Sequence, residues 1–398
     1  MDVSAVIGAN FGDEGKGVIT DALACRRPDA VVVMTNGGAQ RGHTVVHAPT
    51  SKKHTFHHFG SGTFRGCATY FPETFILNPM QFVKEYQELT EGFGVGNIFS
   101  VRHRKCLFST PFDMILNQDI ENWRKSRGKG YGTCGMGIWE TQVRCYESWY
   151  NPFSSLDLFN IAPHEEKLAF LKDVRDKYCP ARYRGITGKD WAPEDWVLSD
   201  GLLEHYINDV AFMCSVCPDE GDKGYSFLAK QENLIFENGQ GLLLDDEYDG
   251  CDTIYATPSR TGMRFVGKIL KALQTDFGAV TRRLDAYYVS RPYATIHGPA
   301  QTRKVERSFG SFHEDSSESN KENEFQGKFF EGTLNQKIQA ETIKQDMKNY
   351  LRPIRANMKT ATLAYTHLDQ ASPQLMLFPD VAECGTAEGG KEVKGLKW

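Results

Sequence analysis

Five short apolar runs, each stopping at a glycine-rich or polar turn, most constrain what this chain can fold into. They cover residues 3–7 before Gly8, 30–34 before Asn36-Gly37-Gly38, and 234–236 before Glu237-Asn238-Gly239-Gln240-Gly241. Two more cover 286–289 before Ser290-Arg291, and 361–365 before Thr366-His367-Leu368-Asp369. Runs of this length without polar alternation predict strands buried on both faces, as in a parallel sheet. Helical patterns lie between them. Gly15 to Ala24 opens a first helix that stops before Pro28. Asn78-Pro79 supplies an N-cap and a first-turn proline ahead of Phe82, Val83, Tyr86 and Leu89 at helical spacing. The expected fold is therefore α/β, with ligands gathered where the carboxyl ends of the strands make one shared cleft.

The first turn carries chemistry. Gly8-Ala9-Asn10-Phe11-Gly12-Asp13-Glu14-Gly15-Lys16-Gly17 sets acids and a lysine among glycines. Glycines let a backbone approach a phosphate closely, and Lys16 can neutralise its charge. Asp13 repels such a ligand unless Mg²⁺ bridges the two or the acid removes a proton. The Walker pattern fails twice: Asn10 stands where its first glycine belongs, and Gly17 where Ser or Thr belongs. In the second turn His43 sits on a glycine-rich loop, where imidazole can give or take a proton near neutral pH. With Asp13 as base, His43 becomes the candidate acid.

Composition narrows the class. The 398 residues allow one large α/β domain or two ordinary ones, and 40% hydrophobic with 24% charged residues predicts a packed core. A net charge of −5, from 46 basic and 51 acidic residues, offers no basic field for nucleic acid and no attraction to an anionic membrane. No stretch approaches eighteen apolar residues and no apolar leader precedes Val3, so a cytoplasmic location is expected. The ten cysteines are scattered, with one CxxC from Cys214 to Cys217 and no second pair to complete a zinc site; reduced thiols are expected. Glu314 to Asn320, acidic and serine-rich, predicts a mobile solvated loop within 308–333.

Taken in order, these segments resemble the adenylosuccinate synthetase family. The family's GDEGKG stands verbatim as Gly12 to Gly17, followed by its Asp as Asp21. Its GHNAGHT is altered to Gly38-Ala39-Gln40-Arg41-Gly42-His43-Thr44, and its PSGI to Gly60-Ser61-Gly62-Thr63 ahead of Leu77-Asn78-Pro79. GTTGRGIGP resembles Gly132-Thr133-Cys134-Gly135-Met136-Gly137-Ile138-Trp139, and FEGAQGTLLD resembles Phe236 to Asp245. Tyr255-Ala256-Thr257-Pro258-Ser259 and Thr366-His367-Leu368-Asp369 follow in family order. The resemblance spans residue 3 to about 370 and implies a single domain over 1–398, with a large, mostly parallel central sheet flanked by helices, related to P-loop folds.

The resemblance implies a two-step ligase. The γ-phosphate of GTP or ATP moves onto O6 of a 6-oxopurine nucleotide such as IMP, and an amine, L-aspartate by default, then displaces it. Asp13 would take the N1 proton and share Mg²⁺ with the Gly42 carbonyl, His43 would act as acid, and Lys16 would clamp the phosphates. Gln240, Thr257 and Gln40 fall where the purine nucleotide is held, and Gly12, Gly15, Gly17, Thr133, Cys134, Gly239 and Lys328 are further nucleotide-binding candidates. Asp369 falls where guanine is read, beside His367 in place of a lysine. A homodimer is also implied, with Arg144 as the nearest match to an arginine that the family lends across the interface.

The chain departs from the family at the amine. A Thr-Thr-Gly-Arg-Arg-Arg-Arg loop serves aspartate there, since planar guanidiniums pair with carboxylates. Here Asn323-Glu324-Phe325 is kept but Gln326-Gly327-Lys328-Phe329-Phe330-Glu331-Gly332-Thr333 follows, and Met136 replaces the arginine of GTTGRG. Either Lys328, Arg303 or Lys304 supplies the charge, or the amine is no longer aspartate. A phage-type branch that acts on dGMP places a smaller residue at the motif's aspartate. Asp13 is kept here, which points toward a base without a 2-amino group. A purine-nucleotide sensor without turnover is the alternative from another class, and it has no use for the Asp13–His43 pair.

Overall fold

All five apolar runs become neighbouring strands of one sheet. The computed structural model describes residues 1–146, 151–245, 259–297, 310, 312–314 and 328–367, with the backbone of 384–387 and 390–393. Its strands are β1 (Asp2–Gly8), β2 (Val31–Met34), β3 (Gly37–Gly38), β4 (His43–His47), β5 (Lys52–Phe56), β6 (Ala68–Phe71), β7 (Phe75–Leu77), β8 (Ser100–Arg102) and β9 (Leu107–Phe108). They continue as β10 (Asn233–Gly241), β11 (Arg283–Ser290), β12 (Ala294–His297), β13 (Phe312–Glu314), β14 (Phe329–Gly332), β15 (Met358–Tyr365), β16 (Cys384–Ala387) and β17 (Gly390–Val393).

Among the described residues the central sheet runs β16-β17-β15-β11-β1-β10-β2-β6-β8, with the seven strands from β15 to β8 parallel. The expected five sit side by side at its centre. Their alternation is hidden because both faces are covered: Val32, Met34 and Ile235 enter one apolar cluster, while Val31, Val33, Leu234 and Phe236 enter another. Helices α1 (Lys16–Arg26), α2 (Pro79–Gln87) and α3 (Pro111–Lys125) line the first face, and helix Met263–Phe277 lines the second. The predicted cap is in place: Asn78 accepts from the Gln81 N–H, with Pro79 in the first turn of α2. Among the described residues no helix is long and apolar enough to cross a membrane.

A smaller sheet, β12-β14-β13, hangs beside the carboxyl edge. It takes up the described part of the stretch 308–333, because Phe329 is buried and Phe330 and Phe312 pack on Phe11, Leu243 and Ile296. Residues 315–327, including the anchor Asn323-Glu324-Phe325, lie outside the described residues, as do Arg303, Lys304, Thr257 and Asp369.

Arg144 does not fit the role that the resemblance offered it. It lies on helix α4 (Ile138–Tyr146), is fully buried, and forks onto Asp113 with Nε–Oδ1 at 2.8 Å and Nη2–Oδ2 at 2.9 Å. Asp113 also caps α3 through Thr110, so Arg144 locks the last turn of α4 to the start of α3 and is turned inward.

Candidate active site

The glycine turn is built around an internal carboxylate. Glu14, buried, accepts from the N–H groups of Asn10 and Gly12 and binds the Lys16 ammonium at 2.6 Å. Gly8 has no room for a side chain: a Cβ there would lie 2.5 Å from Glu14 Oε2 and 2.6 Å from the Gln240 carbonyl. Gly15, at φ +86°, begins α1 without any side-chain cap, so the first N–H groups of the helix face the turn. The departure from the Walker pattern has a cause in packing. A Cβ at Gly17 would stand 2.9 Å from the Cβ of His43, so only glycine lets α1 sit against the second loop.

Asp13 holds a left-handed backbone, φ 60°, which costs a non-glycine residue about 1–3 kcal/mol. Gln240 at φ 62° and His367 at φ 54° do the same. Three of the five non-glycine residues with positive φ in the described chain are thus residues that the sequence had singled out. The backbone at Asp13 is gripped from β11–β12. Arg291 Nε donates to the Asp13 carbonyl at 2.5 Å, Thr295 Oγ1 donates to the Gly12 carbonyl at 3.0 Å, and His297 Nε2 lies 2.9 Å from Asp13 Oδ2. Burial pushes the Asp13 carboxyl up, but the His297 bond and charge, with Arg291 and Lys16, outweigh it and hold it at about 2.

His43 begins β4 and is held by a residue that sequence reasoning passed over. Its Nδ1 donates to Oε1 of Glu237 at 2.7 Å, and the same carboxylate accepts from the Ser61 hydroxyl and N–H. Burial pushes Glu237 up, while His43, Arg41 and Ser61 together bring it to about 2. Burial pushes the His43 imidazole down, with Glu237 opposing. The resting ring is therefore neutral, with hydrogen on Nδ1 and a lone pair on Nε2. It acts as an acid only after taking up a proton.

Arg41 stands where the family motif has alanine, and it is buried too. Its guanidinium donates to the carbonyls of Asn36 (2.6 Å) and Glu237 (3.1 Å) and abuts Gly239, where a Cβ would meet Nη2 at 3.2 Å. Burial lowers it to about 10, which leaves it a cation at neutral pH. Asn36 adds two bonds to the Gly239 backbone, so β2 and β10 share one turn. Thr366 Oγ1 donates to the Glu14 carbonyl at 2.5 Å and contacts His367 Nδ1 at 2.8 Å, which docks the end of β15 on the glycine turn.

The Oε1 atoms of Gln40 and Gln240 are both buried without a hydrogen bond. Beside Gln40, a Cβ at Gly38 would touch Ile138, so the loop carrying Thr133 and Cys134 borders the same corner. Thr133 Oγ1 donates to Asn117 and Gly135 N–H donates back to it, while burial raises the Cys134 thiol to about 11. Lys328 is exposed and directly precedes β14. The structure thus gathers Gly12, Asp13, Gly15, Lys16, Gly17, His43, Gly239, Gln240 and His367 at the carboxyl edge, with Gln40, Gly42, Thr133 and Cys134 along one side.

This edge defines an α/β protein whose glycine-rich turn departs from the Walker loop, and comparison with known proteins gives its family. The chain belongs to the adenylosuccinate synthetase family, whose model matches residues 5–318. It is 29% identical over 299 residues to adenylosuccinate synthetase of Picrophilus torridus, a match covering 74% of this chain and 63% of that one. Against the Magnetococcus marinus enzyme the identity is 31% over 257 residues, covering 62% and 54%. The chain thus spans roughly three fifths or less of these relatives' length. Its fold is similar to fully ligated adenylosuccinate synthetase from Plasmodium falciparum, with a TM-score of 0.63 and 18% identity over 94% of this chain and 78% of that one. It is also similar to succinoaminodeoxyadenylate synthetase (PurZ) of cyanophage S-2L bound to dGMP and dATP, at a TM-score of 0.50 and 11% identity over 94% of both.

Proposed function

We propose that this protein is a C–N ligase that phosphorylates O6 of a 6-oxopurine nucleoside monophosphate with GTP or ATP, then joins an amine, L-aspartate by default, at C6. The observation that carries the reading is the convergence of Asp13, Lys16 and His43 at the start of α1, each fixed by a separate buried partner. A C6 oxygen is a very poor leaving group, so it must be activated in a closed site that holds a base and a cation together. Asp13 takes the N1 proton and Lys16 with the N-terminus of α1 draws in the phosphates. His43 faces the transferring group, while Gln40 and Gln240 offer their buried amide oxygens to the purine.

A resident Mg²⁺ suits the donors present: one carboxylate held anionic, Asp13, and the Gly42 carbonyl are hard oxygen ligands. Among the described residues no cluster of three or more His, Cys, Asp or Glu could hold a metal, so phosphate oxygens and water would complete its shell. When bound it would neutralise charge on the phosphates. Thr257 and Asp369 are assigned to the purine nucleotide and guanine by the resemblance, with Gly12, Gly15, Gly17, Thr133, Cys134, Gly239, Lys328 and His367 toward the nucleotides. A single-domain homodimer in the cytoplasm completes the reading.

A second reading has its own observation. Where relatives are expected to carry arginines, Phe329 is buried against His297 and Phe330 joins an apolar cluster. This favours a variant with a different amine donor or a deoxynucleotide acceptor such as dGMP. The test is a matrix of IMP, dIMP, GMP and dGMP with GTP or ATP, with and without aspartate, read by phosphate release and product mass. Aspartate-independent release selects the variant. Unchanged release in Asp13→Ala removes the catalytic reading and leaves a sensor.

A further inference from the structure

His297 belongs to none of the family-like segments, yet it makes the described side-chain contact to the Asp13 carboxylate from outside the glycine turn. It is the last residue of β12 and 8% exposed, and its Nε2 lies 2.9 Å from Asp13 Oδ2. A carboxylate only accepts, so Nε2 carries the hydrogen. Thr295, on the same face of the strand, and Arg291, in the turn before it, hold the backbone of residues 12 and 13. Neither of those two bonds sets the direction of the carboxylate.

Opposite His297 in the antiparallel ladder sits Phe329 of β14. The two rings meet edge to face, with centroids 5.2 Å apart at 69°. The Arg291 guanidinium lies over the same phenyl ring at 5.8 Å. Phe329 is 3% exposed and lies in the loop where the sequence leaves the family pattern. The altered loop therefore packs against the residue that holds Asp13.

We infer that His297 is a positioning residue of the proposed phosphoryl transfer, fixing the Asp13 carboxylate in one rotamer while Phe329 holds the imidazole against it. This rests on the reading of Asp13 as the base. A base displaced by a fraction of an ångström from its proton loses turnover far more than it loses substrate affinity. The small sheet thus links two halves of the reaction: β14 carries the amine loop, and β12 carries the residue that aims the base.

Four variants test this in the full chain. His297→Asn and His297→Gln keep a side-chain N–H donor, whereas His297→Leu and His297→Phe remove it. The readouts are kcat and KM for phosphate release with the most active pair of the substrate matrix, calorimetric affinity for the monophosphate, and the melting curve. The Leu and Phe variants are expected to lose about 30-fold or more in kcat with KM within about twofold, and one donor-keeping variant to regain about tenfold. Phe329→Leu gives a smaller loss with the same split. Wild-type kcat in Leu and Phe, or equal losses in all four variants, overturns the inference while the function stands. If Leu and Phe do not fold, Asn and Gln at wild-type KM must still differ in kcat, and equality between them overturns it. A wild-type protein that releases no phosphate with any pair removes the reading of Asp13, and the inference with it.

Discussion

Nδ1 of His43 and Oε1 of Glu237 lie 2.7 Å apart across 194 positions of sequence. The second loop and the middle of the sheet meet at that bond. Glu237 sits on β10 between Val6 of β1 and Met34 of β2, so the acceptor is as rigid as the sheet. The tautomer of His43 is set by this partner.

Glu237→Gln reverses that bond. Its amide nitrogen would donate to Nδ1 and its oxygen would still accept from the Ser61 N–H, so the ring is forced to carry hydrogen on Nε2. We expect kcat to fall about 10²-fold or more with nucleotide KM little changed, as when a tautomer-setting acid is lost elsewhere. Steady-state kinetics decide it. An unaltered kcat would show that the tautomer is immaterial.

Gly17→Ser restores a Walker-type residue after the lysine, yet it should damage the protein. The new Cβ stands 2.9 Å from that of His43, and such overpacking costs about 1–3 kcal/mol. A lowered urea midpoint and weaker turnover are expected. A gain in activity would sink the packing explanation.

Arg144→Ala should act on folding. Removing one partner of a buried ion pair costs about 3–5 kcal/mol, and Asp113 would remain buried with its second helix contact gone. Denaturant unfolding measures the loss. If stability holds and only the affinity for the monophosphate drops, the inward-facing assignment is wrong.

Acid should unfold the protein in two stages. Burial, with His57 and Arg41, holds His58 at about 3, and its Nε2 accepts from the Asn78 N–H. Unfolding returns His58 to its ordinary value near 6.5, so below that pH the unfolded chain binds a proton that the folded one refuses. Stability is full above 6.5 and declines by about 1.4 kcal/mol per pH unit per such histidine toward 3. His43, also lowered, adds to this stage. Asp13 and Glu237, depressed to about 2, stabilise above their ordinary values and add a second decline as pH falls through 4.5 and 3.8 toward 2. Urea midpoints against pH for the wild type and His58→Gln should differ in slope by about one proton between 6.5 and 4; identical slopes refute it.

Much of this was legible in the sequence, for a physical reason. Strands covered on both faces read as unbroken apolar runs, and their polar ends mark one edge, so β1, β2, β10, β11 and β15 and the loops after them could be placed. The flanking strands left no such trace: Thr69 interrupts the apolar run of β6, and β8 is three residues long with a serine and an arginine. Glu237 carried a usable signal, since an acid directly after Leu234-Ile235-Phe236 must be buried and paired. His297 carried none. Its bond to Asp13 spans 284 positions, and only the folded β12 brings them together. Arg144 failed for the converse reason: an arginine on a helix reads the same whether it points out or in.

The left-handed backbones at Asp13, Gln240 and His367 set folding against chemistry at three separate loops. Glycine would relax each of them and discard the side chain. A library of this gene selected for heat resistance alone should converge on glycine at these positions, and so outline the site before any substrate has been tried.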